Sequence, residues 1–171
     1  MIIRCKKNIK DVKAILKNLR YEDKEELFAT YGRKWKYKAL KVIMDKNTYT
    51  VIGKNKNGVP LVMGGYRPYK NNLACVWFLT AKNTKEENIS ILLELKKEFK
   101  YYDNFFWATY NIIYKSNKSA KRWLKWLGFK FPKDKKCNVF EKQILRYFQP
   151  KKDFEIFYRL RPIKGLGIKC V

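Results

Sequence analysis

Two dense apolar runs with a helical segment between them constrain the fold of this chain most. Residues 73–81 read LACVWFLTA and residues 105–110 read FFWATY. Neither run alternates apolar with polar, so neither suits a strand with one wet face; each belongs inside a sheet, covered on both sides. Between them, Thr84 with Glu87 three residues later forms a capping-box pattern, and Glu86 and Glu87 suit the positive end of a helix dipole. Ile89, Leu92, Leu93 and Phe99 then face inward, and Lys96, Lys97 and Lys100 close the helix. Strand, helix, strand in this order implies a parallel pair, 74–81 beside 105–110, joined by a crossover helix over 84–100.

The flanking segments extend this into a mixed sheet with helices. Residues 2–6 read as an opening strand. Asn8 can cap a helix carrying Ile9, Val12, Leu16 and Leu19, and a second helix from about Glu22 puts Leu27, Phe28 and Tyr31 on one side before Gly32 stops it. A third helical stretch covers 35–44. Residues 48–54 and 59–67 around Asn57-Gly58 form a hairpin signal, and Asn71-Asn72 is a further turn. Near the end, Ser116 or Asn117 caps a helix with an apolar stripe of Ala120, Trp123, Leu124 and Leu127; Gly128 stops it and 129–131 begin a strand. Residues 133–136 form a basic loop, 138–149 suit either helix or strand, and 154–160 (FEIFYRL) alternate like a strand. The segment 162–171 is too sparse in side chains for a domain, so the expected organisation is one domain over 1–161 and a C-terminal tail.

Composition narrows the chemistry. The 171 residues, 46% hydrophobic, suffice for a core. The absence of histidine removes Ser-His-Asp and Cys-His pairs, histidine bases and Cys/His zinc sites together. Cys5, Cys75, Cys137 and Cys170 are scattered, which points to reduced thiols and to neither a metal site nor a disulfide framework. A charged N-terminus and the lack of a bilayer-length apolar run predict a cytoplasmic protein with no membrane partner. The net charge of +25 attracts polyanions such as nucleic acid or an acidic protein surface, but it is mostly Lys spread along the chain, as an AT-rich coding genome also produces. On the last helix Lys118, Lys121, Arg122 and Lys125 share an outer ridge beside Trp126. That ridge is either a solvated face or a track for a phosphate backbone with a stacking group.

The whole order, β–α–α–β–β–β–α–β–α–β–β, resembles the GNAT acyltransferase fold, an α/β (α+β) architecture with helices on both faces of a mixed sheet. SNKSAKRWLKWLGFKF, residues 116–131, is similar to the C-terminal signature of that family through Asn117, Ala120, Leu127, Gly128 and Phe129. RWLKWLGF, together with LRYEDKEELFATYG (19–32), NGVPLVMGG (57–65) and VWFLTAK (76–82), most resembles small phage GNAT-like proteins. One of these is the acetyltransferase-like internal virion protein of T7-like phages.

The resemblance implies an acetyl-CoA or other acyl-CoA cofactor, no metal, and phage virion components as possible partners. The acyl-CoA arm would lie where the two parallel strands splay, against the backbone of Phe78, Leu79 and Thr80. The pyrophosphate would meet Lys82, Lys85 and the helix start at Thr84. Asn117 would either contact the cofactor arm or simply cap its helix. Two departures stand against these matches. The glycines of the family's pyrophosphate turn fall here on Glu87 and Ile89, and the family's acid Tyr, seven residues after the Asn, is Leu124. Tyr110 and Tyr114 read as core and rim aromatics, and Glu22, Glu25 and Glu26 as solvated carboxylates on a helix that lines the acceptor side. The catalytic residues are unassigned. Three functions follow: an N-acyltransferase, a phage protein keeping the fold without the chemistry, and a basic nucleic-acid-associated protein.

Overall fold

Asn8 opens the first helix as its sequence position suggests, its side chain accepting the Asp11 N–H at 2.9 Å. The computed structural model describes residues 2–83, 85–132 and 150–162. Strand β1 (Ile3–Lys6) leads into α1 (Ile9–Lys17), α2 (Tyr21–Tyr31), a 3-10 turn (Gly32–Lys34) and α3 (Trp35–Met44). Gly32, at φ 70°, ends α2 in a conformation that a side chain resists. Lys7 Nζ donates to the carbonyls of Ile43, Asp45 and Thr48 at 3.1, 2.8 and 2.7 Å, placing a cation on the negative end of α3.

Three antiparallel strands follow, β2 (Tyr49–Lys54), β3 (Pro60–Tyr69) and β4 (Leu73–Thr80). In the first hairpin only Gly58 takes a positive φ, 77°; Asn55 organises the turn instead, its Oδ1 accepting the N–H groups of Asn57 and Val59. In the second, both Asn71 and Asn72 are left-handed. Helix α4 (Lys85–Tyr102) crosses to β5 (Ala108–Tyr114), which runs parallel to β4; α5 (Lys118–Trp126) and β6 (Phe154–Leu160) are the last elements among the described residues. The sheet order is β1-β2-β3-β4-β5-β6, with β4/β5 as its one parallel pair among the described residues.

Both faces of β4 are covered, for the reason its sequence gives. Ala74, Val76 and Phe78 point into a core with Phe99, Leu124 and Phe157, beneath α4 and α5. Trp77 and Leu79 point the other way, against Val12, Ile15, Leu16 and Ile43 of α1 and α3.

Several elements differ from expectation. The second parallel strand begins three residues later than expected, because 105–107 form the turn that leaves α4, while Ala108, Thr109 and Tyr110 make the parallel pairing. Phe105 and Phe106 donate their N–H groups to the Tyr102 carbonyl, and Trp107 is held by the carbonyls of Asn72 and Asn71. On α4 the inward ridge is Ile91, Leu95, Phe99 and Tyr102, seated over the bare backbone of Gly53 and Gly64, while Ile89 and Leu93 are about half exposed. Phe28 is likewise exposed on α2. The strand expected over 129–131 is a single bridge, Lys130 to Tyr158. The readings of 133–149, Cys137, Cys170 and the tail beyond 162 lie outside the described residues, as does Thr84.

Candidate active site

The parallel pair is short. Leu73, Ala74 and Cys75 register with Ala108, Thr109 and Tyr110, and there the ladder stops. A continued parallel ladder would next join the Ile112 N–H to the Val76 carbonyl. The Asn111 side chain stands between them instead: its Nδ2 donates to the Val76 carbonyl at 2.8 Å, and its Oδ1 accepts the Ile112 N–H at 2.8 Å. One amide thus replaces a rung and satisfies both backbone groups while the strands diverge. Asn111→Leu keeps the bulk and strips both partners, so it is expected to cost about 1–3 kcal/mol, read as a lower urea midpoint at unchanged slope.

Backbone alternation along β4 turns the N–H and C=O groups of Val76, Phe78 and Thr80 toward the gap and those of Trp77 and Leu79 toward β3. Thr80 is already engaged. Its N–H and hydroxyl both donate to Asp23 Oδ2, at 2.9 and 3.1 Å, and its carbonyl accepts the Arg20 N–H at 3.1 Å. Lys82 is exposed, with its N–H given to the Asn18 carbonyl. Phe78 therefore carries the gap-facing backbone of β4 that α2 leaves uncovered, and Leu79 contributes a side-chain wall.

Between the splayed strands lies an open cavity of about 290 Å³ that passes from one sheet face to the other. Phe78, Ile113, Ala120, Leu124 and Phe157 wall the α5 side; Leu27, Tyr31, Ile43, Trp77 and Leu79 wall the α2/α3 side. Trp123 stacks on Phe78 with ring centroids 6.4 Å apart, and the Arg20 guanidinium lies 4.9 Å from its ring.

Glu26 enters this cavity from α2. Its Oε2 accepts the Asn117 Nδ2–H at 3.2 Å, with the Tyr114 N–H at 3.5 Å. Burial pushes the carboxyl up to about 7, with the Asp23 charge adding to the effect, against the opposing hydrogen bond from Asn117. Glu22 and Glu25 are exposed, as expected of solvated carboxylates, whereas Glu26 lines the cavity. Asn117 is buried and caps α5, its Oδ1 accepting the Ala120 N–H at 3.1 Å while its amide holds Glu26.

Of the other sequence candidates, Leu124 lines the cavity where the family's Tyr would stand. Tyr110 is buried and Tyr114 rests on Phe154. Burial pushes the Cys75 thiol up to about 12, which leaves it un-ionised and unsuited to nucleophilic work. Lys85 begins α4, so both positions that would hold glycines, Glu87 and Ile89, are already helical; the Glu87 carboxylate also accepts from Asn55 Nδ2 at 3.1 Å. On α5 the basic ridge divides. Lys121 pairs with Glu155, and Lys125 lies 5.8 Å from the Phe131 ring; Lys118, Arg122 and Trp126 face outward, with Lys96 Nζ 4.7 Å from the Trp126 ring. No helix among the described residues is long and apolar enough to cross a membrane.

No family model and no curated protein matches the sequence. Solved structures do match in shape. A GNAT-family acetyltransferase from Staphylococcus aureus superposes with a TM-score of 0.66 at 14% identity, over 95% of this chain and 100% of that one. A GCN5-related N-acetyltransferase from Kribbella flavida gives 0.66 at 16%, over 93% and 97%. Spermidine N-acetyltransferase from Vibrio cholerae, in complex with CoA and spermine, gives 0.64 at 12%, over 94% and 95%. With the parted parallel strands and the helices on each face of the sheet, these superpositions establish that the chain has the fold of the GNAT N-acetyltransferases.

Proposed function

We propose that this protein is an N-acyltransferase that draws its acyl group from a thioester of the acyl-CoA class. The observation that carries the reading is the divergence of β4 from β5 over an open cavity with the Glu26 carboxyl in its wall. The acyl thioester supplies an activated carbonyl to an attacking amine. The gap-facing N–H and C=O of Phe78 would hold the donor's amide-bearing arm, and the apolar walls exclude water from the thioester. As the amine's new C–N bond forms, the thioester C–S bond breaks: Glu26 takes the proton the amine sheds, and the thiolate leaves as the anion and takes its proton from solvent.

The fit is good along the arm and poorer at the diphosphate. Lys82 and Lys85 bring positive charge there, but Glu87 and Ile89 present side chains where bare backbone would otherwise approach. Binding is therefore expected to rest on the arm and the acyl end. Isothermal titration of the full chain with acetyl-CoA tests this: a saturable heat is expected, and a flat titration at millimolar acetyl-CoA overturns the reading.

The same helical Glu87 and Ile89, with the Thr80 backbone already taken by Asp23 and Arg20, favour a second reading. In it the chain keeps the fold without the chemistry, as a phage-encoded virion or assembly protein, acting in the host cytoplasm and in the particle. The outward Lys118, Arg122 and Trp126, with the exposed Lys125 beside Phe131, would then serve nucleic acid. Filter binding across salt separates the two, since phosphate contacts must weaken as ionic strength rises.

A further inference from the structure

The cavity is asymmetric in polarity, and the asymmetry bears on the acceptor. On its α2/α3 side the walls are Leu27, Ala39, Val42, Ile43, Leu79 and Ile112. The side-chain oxygens there all come from α2, on Glu26, Thr30 and Tyr31, and β4 adds one donor, the buried indole N–H of Trp77. Thr30 spends its hydroxyl hydrogen on the Glu26 carbonyl at 2.8 Å. Tyr31 carries a hydroxyl that burial, with the nearby Cys75, holds un-ionised. Asp23, the neighbouring acid, is occupied by Arg20 and Thr80, and Glu22 and Glu25 point to solvent. Among the described residues one carboxylate is thus available inside the slot, and the rest of that wall is mainly hydrocarbon and aromatic surface.

We infer that the acceptor is a primary monoamine on an apolar body, an arylalkyl- or alkylamine, whose ammonium group meets Glu26 while its body lies along the α3 side of the slot. The inference rests on the N-acyltransferase reading and narrows its substrate class. A polyamine would bring further ammonium groups against Leu27, Val42 and Ile43, where no counter-charge among the described residues faces them, and burying an unpaired charge is strongly unfavourable. A chain with 40 basic and 15 acidic side chains also repels polycations on approach. An apolar amine presents one charge to the one carboxylate and buries the rest of its surface.

The test uses the full chain without donor at about pH 8, where Glu26 is ionised and an alkylamine still protonated. Phenylethylamine, spermidine and the neutral isostere phenylethanol are each titrated calorimetrically. Phenylethylamine is expected to bind at least about tenfold more tightly than spermidine. Glu26→Gln is expected to weaken phenylethylamine about tenfold and to leave phenylethanol unchanged. Equal or tighter spermidine binding, or an unchanged phenylethylamine affinity in the Gln variant, overturns the inference. A parallel acetyl-CoA titration separates the two levels. Donor binding without preference for the apolar amine removes this inference and leaves the N-acyltransferase reading. Amine binding that depends on Glu26, beside a flat donor titration, removes that reading and supports the amine site.

Discussion

Asp23→Ala is expected to lose about 3–5 kcal/mol of folding stability, the largest effect of any single substitution considered for this protein. Asp23 is 4% exposed and serves partners from two directions. Arg20 grips it through Nε at 3.2 Å and Nη2 at 2.5 Å, and the Thr80 N–H and hydroxyl donate to the same carboxylate. Removal leaves a guanidinium that is itself little exposed without its counter-charge, and a gap-facing N–H of β4 without an acceptor. Stacking on Trp123 keeps Arg20 from simply swinging into solvent. Asp23→Asn retains an oxygen for Thr80 but not the charge, so its loss should fall clearly between wild type and Ala. Urea melts of the three proteins check the order; an Ala variant within about 1 kcal/mol of wild type would show that α2 does not latch β4 through this residue.

Glu26→Gln moves in the opposite direction, and its effect depends on pH. The carboxyl ionises near its ordinary 4.5 when unfolded and at about 7 when folded. Between those values the folded chain holds a proton that the unfolded chain has released. The contribution of the neutral form is therefore complete below the unfolded value and is lost as pH rises through 7, where the buried anion burdens the fold by up to about 3 kcal/mol. Gln never ionises, and its oxygen still accepts from Asn117 and Tyr114. Wild type and variant should match below about pH 4, and the variant should lead by about 1–3 kcal/mol at about pH 8. Denaturation across a pH series reads this directly; parallel curves for the two proteins would mean that Glu26 is solvated. The same substitution should weaken amine binding, so stability and function diverge at one residue, as expected where a site keeps an unfavourable charge for use.

Asp23 and Glu26 sit three residues apart on one ridge of α2, and together they hold both splayed strands. One carboxylate takes Thr80 on β4; the other takes Tyr114 on β5 and Asn117 at the head of α5. The helix thereby spans the mouth of the gap. In the proposed acyltransferase reading a donor arm would meet Phe78 as its main-chain partner on β4, with Thr80 already in use, and donor binding would depend on the position of α2.

Much of the fold was legible in the residues. The density of 73–81 required cover on both faces, and β4 has it because Ala74, Val76 and Phe78 serve one core while Trp77 and Leu79 serve the other. Asn8, Gly32 and Asn117 mark helix ends because capping is decided within a few neighbouring residues. The second parallel strand was started too early by its aromatics. FFWATY matches a buried strand in composition, yet Phe105 to Trp107 turn away from α4; Ala108 to Tyr110 pair with β4, and the strand runs on through Asn111 to Tyr114 beside β6. Burial propensity does not distinguish a turn packed under a helix from a strand in a sheet.

What the sequence determined by itself is the periodicity of burial, and with it the order of elements and the parallel pair, since those follow from side chains close along the chain. The tertiary structure alone decided the site. Asn111 carries no signal in the sequence, yet its amide replaces a rung with Val76, 35 positions away. Glu26 looked like any helix carboxylate until the fold set it against Asn117, 91 positions away. Hydrogen bonding and desolvation depend on which distant groups the fold brings together, and local pattern holds no record of that.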